Sequence, residues 1–368
     1  MTRTKFLLDF YVWWVDMIVL ESRNSMIKKQ GFTLIELLAV IVVLAVIALI
    51  ATPIILNVIE ESRKGSAEQS ANGYKEAVEN QVMLNEVDSS KESIADGVHS
   101  VDELKSLWVE VKGQEPENGN VYIENGIVKN YIFGIGDYVV ENGVATKSTN
   151  KKKYENGYAI YYNPVSGEIC EDYVEDNSKN ENKVGCMKWY VYNDSEDAST
   201  INMILDHNTT AKIDWNTDGE HGINVAYSES NIAPEVNKLV TESNWKSIPR
   251  LITAYEINEI TGKTDWTNTS GWYCFESGKQ DSTTNPYCNN IGTYGWLYDN
   301  MNCKESSNDW KCLNNDITIS GYWTSTTKDD LSKNVWRILR YGGIFNNYAN
   351  SSGEGIRPVI TISKSLIK

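Results

Sequence analysis

An apolar run from Leu37 to Ile59 constrains this chain more than any other feature, because it carries no charged side chain. At about 1.5 Å per helical residue, the run is long enough to cross the roughly 30 Å hydrocarbon core of a bilayer. Glu36 stands directly at its head. An ionised carboxylate inside a membrane costs roughly 3 kcal/mol, so an acid in this place indicates a function. The sequence therefore predicts a membrane-spanning helix that begins with a functional acid.

The residues before the run do not form an ordinary secretory signal. Such a signal has a basic start, a shorter apolar stretch and then a cleavage site of small residues. Here the basic pair Lys28-Lys29 is followed by Gly31, and the apolar stretch comes after the glycine. A simple signal-anchor, or a secretory signal cut near Ala51, is the alternative, but neither explains Glu36.

The segment Lys28–Leu37 resembles the class III leader of type IV pilins and pseudopilins, because its Gly-Phe-Thr-Leu-Ile-Glu-Leu residues are all in register. The resemblance implies that a prepilin peptidase in the membrane cuts between Gly31 and Phe32 and methylates the new amino terminus at Phe32. It also implies that Glu36 pairs with the amine of Phe32 on a neighbouring subunit of a filament. Two lone charges in an apolar medium gain much from such pairing.

The leader divides the first part of the chain into segments. Residues 1–25 are interpreted as a mis-called upstream extension, with Met26 as the true start; an extended leader with a second membrane contact is the alternative. Residues 26–31 are then the leader, and residues 32–59 are the transmembrane half of a pilin helix. Pro53 lies where many pilins carry a helix-weakening proline.

The basic pair also predicts the topology. By the positive-inside rule, Lys28 and Lys29 stay in the cytoplasm, which places everything after Ile59 outside. We therefore expect a single-pass protein of the inner or cytoplasmic membrane, with its C-terminus outside, that later enters an extracellular surface filament.

Residues 60–150 are expected to form the pilin globular domain. Apolar side chains at helical spacing predict an amphipathic spine, which comprises Ala67, Ala71, Tyr74, Val78 and Val82. Strand-like runs follow, and the Asn125-Gly126 and Asn142-Gly143 pairs between them are strong hairpin-turn signals. This order resembles the αβ roll of pilins, in which the long helix packs on a small antiparallel sheet.

The cysteines predict disulfides, because all six lie in the part that is expected outside. Six cysteines allow many pairings, and the connectivity stays open. The preferred pairing joins nearest neighbours and closes three short loops, which are Cys170–Cys186, Cys274–Cys288 and Cys303–Cys312. A zinc site would need closer cysteine spacing. The first loop lies in residues 151–199, which are interpreted as a connecting segment.

Residues 200–368 carry Trp323 in a Gly-Tyr-Trp-Thr-Ser run, then the Trp336-Arg337 pair, then Arg357 in a Gly-Ile-Arg-Pro-Val run. This set resembles the module shared by C-type lectin-like folds and the superfamily of formylglycine-generating enzymes (sulfatase-modifying factors). The resemblance implies a disulfide-containing α+β module. Its two tryptophans are expected to fill a core, and its two arginines are candidates for buried hydrogen bonds to loop carbonyls. The chain as a whole is therefore expected to be α+β.

The chemistry of that superfamily is not expected here. Formylglycine-generating enzymes use cysteines near the chain end, whereas no cysteine follows Cys312. Calcium-dependent lectins place an acid after the tryptophan that corresponds to Trp336, and this chain has none there. His207 and His221 are interpreted as surface residues. The sequence thus predicts no metal, no cofactor and no catalytic residue.

A cluster of aromatic residues near the second cysteine pair has two interpretations. The cluster includes Trp266, Trp272, Tyr273 and Trp296, and turn residues surround it. Aromatic side chains on such loops often contact ligands. Alternatively, they fill a small core, and this is the preferred interpretation.

The charge of the chain limits its partners. The formal net charge is -16, and the longest basic run is Lys151-Lys152-Lys153. Such a surface argues against nucleic acid as an electrostatic partner.

The sequence thus predicts a non-enzymatic protein, a minor type IV pilin that displays an extracellular binding module in a structural and adhesive role. Its expected partners are a prepilin peptidase, other pilin subunits, a pilus assembly platform and an extracellular glycan or protein ligand. The alternative is a pseudopilin of a type II secretion or DNA-uptake machine, for which nucleic acid would be a partner. An exported enzyme has no supporting catalytic constellation.

Overall fold

The structure is a computed structural model of the chain. It describes residues 33–87, 94, 96–107, 109, 111, 113–170, 185–196, 198–209, 212–216, 227, 230–262, 272–276, 278–280, 288, 292–298, 321–327, 334–351 and 353–367. The chain divides into two compact units, Met1–Glu61 and Ser62–Lys368.

The first described element is α1, a helix of 54 residues from Leu34 to Val87. Its apolar first part is exposed along the whole circumference, as expected for a segment without a protein partner around it. In its second part, the predicted spine is buried, which confirms the helical spacing seen in the sequence; its members are Ala67, Ala71, Tyr74, Val78 and Val82.

A small antiparallel sheet follows α1 in the chain. Its strands and the short helix between them are β1 (Gly97–Ser100), α2 (Val101–Ser106), β2 (Asn118–Glu124), β3 (Ile127–Ile135), β4 (Tyr138–Glu141) and β5 (Val144–Lys147). The described strands are ordered β1-β2-β3-β4-β5, and every neighbouring pair is antiparallel. The spine packs on one face of this sheet, with Tyr74 edge-on to Phe133 at 5.2 Å between ring centroids. We call this helix-and-sheet assembly the roll.

The two hairpins of the roll form at the predicted turns. Asn125 and Gly126 have φ values of 54° and 71°, and Asn142 and Gly143 have values of 47° and 89°. Two consecutive residues with positive φ define the turn type that matches the twist of antiparallel strands, and asparagine and glycine adopt it most easily. The Asn142-Gly143 turn sets a continuous register of β4 on β5, whereas the register of β2 on β3 shifts by one residue between Tyr122 and Ile123.

The rest of the unit adds two more sheets. In chain order its elements are β6 (Ala159–Asn163), β7 (Glu168–Ile169), β8 (Met187–Tyr192), β9 (Thr200–Leu205), α3 (Ile232–Thr241), α4 (Ala254–Thr261), β10 (Trp272–Cys274), β11 (Gly278–Gln280), β12 (Gly321–Thr327), β13 (Asn334–Leu339), β14 (Gly343–Tyr348), β15 (Glu354–Gly355) and β16 (Val359–Ser363). Short 3₁₀ turns span Gly295–Leu297 and Lys364–Leu366. We call residues 154–368 the module.

The second sheet joins distant parts of the chain. Its described strands are ordered β16-β9-β8-β6-β7, so that β16, near the end of the chain, pairs with β9. Residues 151–199 were predicted to be a connecting segment, but they contribute β6, β7 and β8 to this sheet. The boundary predicted at residue 199 therefore lies inside one sheet. The core of that sheet includes Trp189, Met203 and Ile360.

The third sheet has the described order β11-β10-β14-β13-β12-β15, and β15 runs parallel to β12. Trp323 and Trp336 are buried on β12 and β13, as predicted. The indole of Trp323 lies edge-on to Trp215 at 5.9 Å, and its N–H donates to the carbonyl oxygen of Ile213 at 2.9 Å. The α+β class is confirmed for the described residues.

Polar contacts join the roll to the module within the unit Ser62–Lys368. The amide of Asn120 on β2 donates to Thr361 Oγ1 on β16 at 2.7 Å, and Ser199 Oγ donates to the carbonyl oxygen of Tyr138 at 3.1 Å. The two parts are thus held in one arrangement by directional bonds.

A buried ion pair lies at the centre of this junction. The guanidinium of Arg250 donates to both carboxylate oxygens of Glu256 at the start of α4, and its Nε donates to Asn120 Oδ1 at 3.1 Å. Tyr192 OH lies 3.2 Å from Arg250 Nη2 and donates to Glu256 at 3.1 Å. Burial alone would raise the pKa of Glu256, but the Arg250 charge outweighs it and holds that pKa below its usual value.

Replacement of Arg250 should test how far the unit depends on this pair. Arg250→Met leaves the Glu256 carboxylate buried without a cation, so we expect a loss of about 3–5 kcal/mol in the free energy of unfolding. Urea unfolding of the detergent-extracted protein measures it. The double variant Arg250→Met/Glu256→Gln should recover much of the loss, because the uncompensated charge is gone.

The pH dependence gives a second readout of the same pair. In the wild type, the lowered pKa of Glu256 contributes stability above its unfolded pKa, and this contribution is lost as pH falls through the folded pKa. In Arg250→Met, burial raises the pKa of Glu256 instead, so the stability deficit should shrink as the pH is lowered from about 7 towards 4. A stability deficit of Arg250→Met that does not vary with pH would contradict this account. Arg340→Met, at an exposed site, is the control, and its free energy of unfolding should stay within about 0.5 kcal/mol of the wild-type value.

Candidate functional site

The first described residues form a cap for the membrane-length helix. The backbone N–H and the hydroxyl of Thr33 both donate to Glu36 Oε2 at 2.9 Å, and the N–H of Glu36 donates back to Thr33 Oγ1 at 3.3 Å. This reciprocal arrangement is a capping box, which satisfies N–H groups that have no partner in the first turn of a helix. The Thr-x-x-Glu spacing is its sequence signal, and it gives Thr33 a role that the resemblance to pilin leaders did not predict.

The acid at the head of the helix is therefore held by its own chain. Glu36 is exposed, and its two hydrogen bonds come from one residue, Thr33. Both donors are neutral, so the carboxylate keeps its charge available for a cation. Gly31 and Phe32, the predicted cleavage and methylation sites, lie outside the described residues.

Pro53 lies inside α1, and the helix continues through it. A proline has no N–H to donate to the carbonyl four residues earlier, so the helix lacks one backbone bond there. Thr52 donates its hydroxyl to the carbonyl oxygen of Ala48 at 2.6 Å, which adds one side-chain bond to the same turn. By length and composition, α1 can cross a membrane, and its apolar window is not buried in protein.

The aromatic residues proposed as ligand contacts are in part core residues. Tyr273 is buried in the cluster between α4 and the third sheet. Trp296 is half-buried, packs on that cluster and lies 5.9 Å from the ring of Tyr190. These two side chains fit the core interpretation rather than a ligand loop. Trp266 and the side chain of Trp272 lie outside what the structure describes.

Arg357 has the role that the sequence predicted. It is fully buried and donates to the carbonyl oxygens of Leu205, Asp206, Trp296 and Leu297, with Nη2 at 3.0 Å from Asp206 and at 2.8 Å from Trp296. Its guanidinium also lies 5.3 Å from the ring centroid of Tyr322. One side chain thus fixes the end of β9, a 3₁₀ turn and the start of β12.

Arg337 differs from its prediction. It pairs with the carboxylate of Glu354, which is fully buried, and its guanidinium lies 5.8 Å from the ring centroid of Phe345. The prediction of a loop carbonyl as its partner was wrong, because β15 runs beside β12 and brings an acid next to β13. A residue so far along the chain could not be assigned to Arg337 from sequence.

The cysteines that the structure describes lie in the preferred pairs. Cys170 and Cys186 are at disulfide distance with 6.2 Å between Cα atoms, and Cys274 and Cys288 are at disulfide distance with 5.5 Å. Both separations suit a disulfide. Cys303 and Cys312 lie outside the described residues, so their pairing stays a prediction. Within the described parts of the chain, no group of three or more His, Cys, Asp or Glu side chains could hold a metal ion.

With this geometry in place, comparison with known proteins gives one positive result. Residues 26–52 match the family described as "Prokaryotic N-terminal methylation motif". The motif indicates a type IV pilin-like or pseudopilin protein. No curated protein and no solved structure matches the chain.

The match covers the leader and the apolar helix as far as Thr52, including Thr33 and Glu36. A pilin-type leader implies processing by a prepilin peptidase and assembly with other pilins. It also fits a membrane-anchored precursor that later enters a filament, and α1 supplies the anchor.

Processing of this pilin-type precursor should begin at Phe32. The matched motif and the position of Glu36 in the capping box motivate this prediction. Mass spectrometry of the membrane-extracted protein should find a methylated Phe32 amino terminus. An intact terminus at Met26, or a cut near Ala51, would show that the leader is not processed as a pilin leader.

Peptide mapping without reduction should find Cys170 linked to Cys186 and Cys274 linked to Cys288. The closed loops have sequence separations of 16 and 14. Each should stabilise the folded state by about 3 kcal/mol in the chain-entropy view, so Cys170→Ala/Cys186→Ala should lower the urea midpoint. A link between Cys186 and Cys274 would contradict the assigned connectivity.

Proposed function

We propose that this protein is a minor type IV pilin that displays a non-enzymatic binding module on a surface filament. One observation carries the proposal. A pilin-type leader and helix precede a unit, Ser62–Lys368, that contains far more than a roll. Within the described residues, two further sheets and two short helices follow the roll. A pilin that serves only as a filament subunit does not need these additional elements.

The module is proposed to have a C-type lectin-like fold. Trp323 and Trp336 are buried on adjacent strands, Arg357 is buried between a turn and two strands, and β16 closes a sheet against β9. These placements agree with the resemblance that the sequence shows. Fold resemblance by itself favours a binding role but does not specify a ligand.

Glu36 is proposed to act in assembly. Inside the membrane, Thr33 satisfies its carboxylate with two neutral donors. In a filament, the methylated amine of Phe32 on a neighbouring subunit would add the opposite charge, which neutral donors cannot supply. The gain from pairing two charges in an apolar medium would favour the assembled state.

The orientation follows from the leader. Lys28 and Lys29 would hold the N-terminal end in the cytoplasm, so the unit Ser62–Lys368 would fold outside, where disulfides form. The assembly platform of the pilus is the proposed partner in the membrane. An extracellular glycan or protein is the proposed partner of the module.

Glu36→Leu is the direct test of filament membership. The change should ease membrane insertion and remove the partner of the neighbouring amine. We expect membrane levels at or above wild type, measured by immunoblot, and loss of more than about nine-tenths of the protein from sheared filaments. Glu60→Leu, a control at another acid of α1, should enter filaments. Equal recovery of Glu36→Leu and wild type from filaments would overturn the proposed assembly role.

A deletion strain separates display from the pseudopilin alternative. If the module is displayed, antibodies to it should label intact filaments, and the deletion strain should still form filaments that attach poorly to surfaces. Loss of protein secretion or of DNA uptake in the deletion strain, with no labelled filament in the wild type, would instead identify a pseudopilin.

A further inference from the structure

A cleft opens between the roll and the module, within the unit Ser62–Lys368. Its volume is about 540 Å³. One wall of the cleft belongs to the roll and is the face of β3, β4 and β5 that points away from α1. The other wall belongs to the module. It consists of the β6–β7 turn, the segment after α3, and β16 with the turn that follows it. None of the residues proposed from sequence lines it.

The roll side of the cleft presents polar groups above an apolar floor. Ile132 and Val139 form the floor, and the register places Glu141 beside Ile132 and Thr146 beside Val139. Asn130 precedes Ile132 on the same face. Within the described residues, the side chains of Asn130 and Thr146 have no hydrogen-bond partner, so both can bind a ligand.

The module side is rich in hydroxyl groups. Ser247 Oγ lies 2.7 Å from the hydroxyl of Tyr162, and Ser363 Oγ lies 2.6 Å from Ser365 Oγ. Lys246 is anchored by a bond from Nζ to the carbonyl oxygen of Ser166 at 2.9 Å. A hydroxyl both donates and accepts, so each of these groups keeps capacity for a further hydrogen bond.

The cleft is close to neutral although the chain has a net charge of -16. Glu141 is its acid and Lys246 is its base. Burial raises the pKa of the Glu141 carboxyl, and the charge of Lys246 opposes that shift. One acid and one base attract neither an anion nor a cation strongly. An acidic polysaccharide or a nucleic acid would require a cluster of basic side chains.

We propose that this cleft binds a neutral oligosaccharide. The groups of such a ligand are hydroxyls, which donate and accept as the serine, threonine and asparagine groups of the cleft do. The faces of its sugar rings carry C–H groups, which can lie on Ile132 and Val139. An extended peptide is less suitable, because such peptides often bind by adding a strand to an exposed sheet edge. On β16, the edge strand that lines the cleft, Thr361 is instead buried. The inference rests on the proposed function, in which the exported unit binds an extracellular ligand.

The test is titration of the detergent-extracted full chain with maltohexaose, cellohexaose and chitohexaose by calorimetry, with tryptophan fluorescence as a second readout because Trp245 lies in the cleft. We expect one of the three to bind. Asn130→Ala should then weaken binding about fivefold to tenfold, since a hydrogen bond contributes about 1 kcal/mol. Thr146→Trp should abolish binding, because the larger side chain fills the cleft.

Val144→Trp is the matched control for Thr146→Trp. Val144 lies on the same strand and face, is 61% exposed and does not line the cleft. The control should bind as the wild type does. The inference is overturned if none of the three sugars binds, if Thr146→Trp and Val144→Trp have equal effects, or if a hyaluronan hexasaccharide or an unrelated peptide binds more tightly than all three.

The failure of this inference and the failure of the proposed function look different. If no neutral sugar binds but the module labels filaments and the deletion strain attaches poorly, the site is wrong and the function stands. If the cleft variants lose sugar binding while the protein never enters filaments, the site is right and the filament role is wrong.

Discussion

The burial of Arg250 between the roll and the module is the interaction on which the arrangement of the unit Ser62–Lys368 depends. Its guanidinium bonds to Asn120 of β2, to Tyr192 of β8 and to Glu256 of α4. Its backbone exchanges two hydrogen bonds with Val359 of β16, at 2.9 Å and 2.8 Å. Four elements from distant parts of the chain thus meet at one residue, and a shift of α4 would leave the buried charge of Arg250 without its counter-ion.

Buried ions of this kind fix a structure more than they stabilise it. Removing two charges from water costs several kcal/mol per ion, and their attraction roughly offsets that cost. What they add is a large penalty for any arrangement that breaks the pair. Arg357 also links distant parts of the module, because it satisfies four carbonyl groups from two segments of the chain.

The features that were predicted correctly from sequence are local. The Asn-Gly turns require positive φ at two consecutive residues, which few other dipeptides allow, so the hairpins of the roll could be located. The spine from Ala67 to Val82 repeats at helical spacing. The two described cysteine pairs close short loops among turn residues. By contrast, the partner of Arg337 and the pairing of β16 with β9 depend on contacts between residues far apart in the chain.

The sequence by itself determined that this chain has a pilin-type leader and an apolar helix with an acid at its head. Those properties depend on residue order within a short window, and the peptidase and the membrane act on that window directly. Only the tertiary structure decided that β6 to β9 and β16 share one sheet, that Glu354 pairs with Arg337, and that Asn130 and Thr146 face Lys246 across a cleft. The physical reason is that residue periodicity and spacing describe only local structure. Which surfaces pack together depends on the free energy of burying all the apolar surfaces of the fold simultaneously.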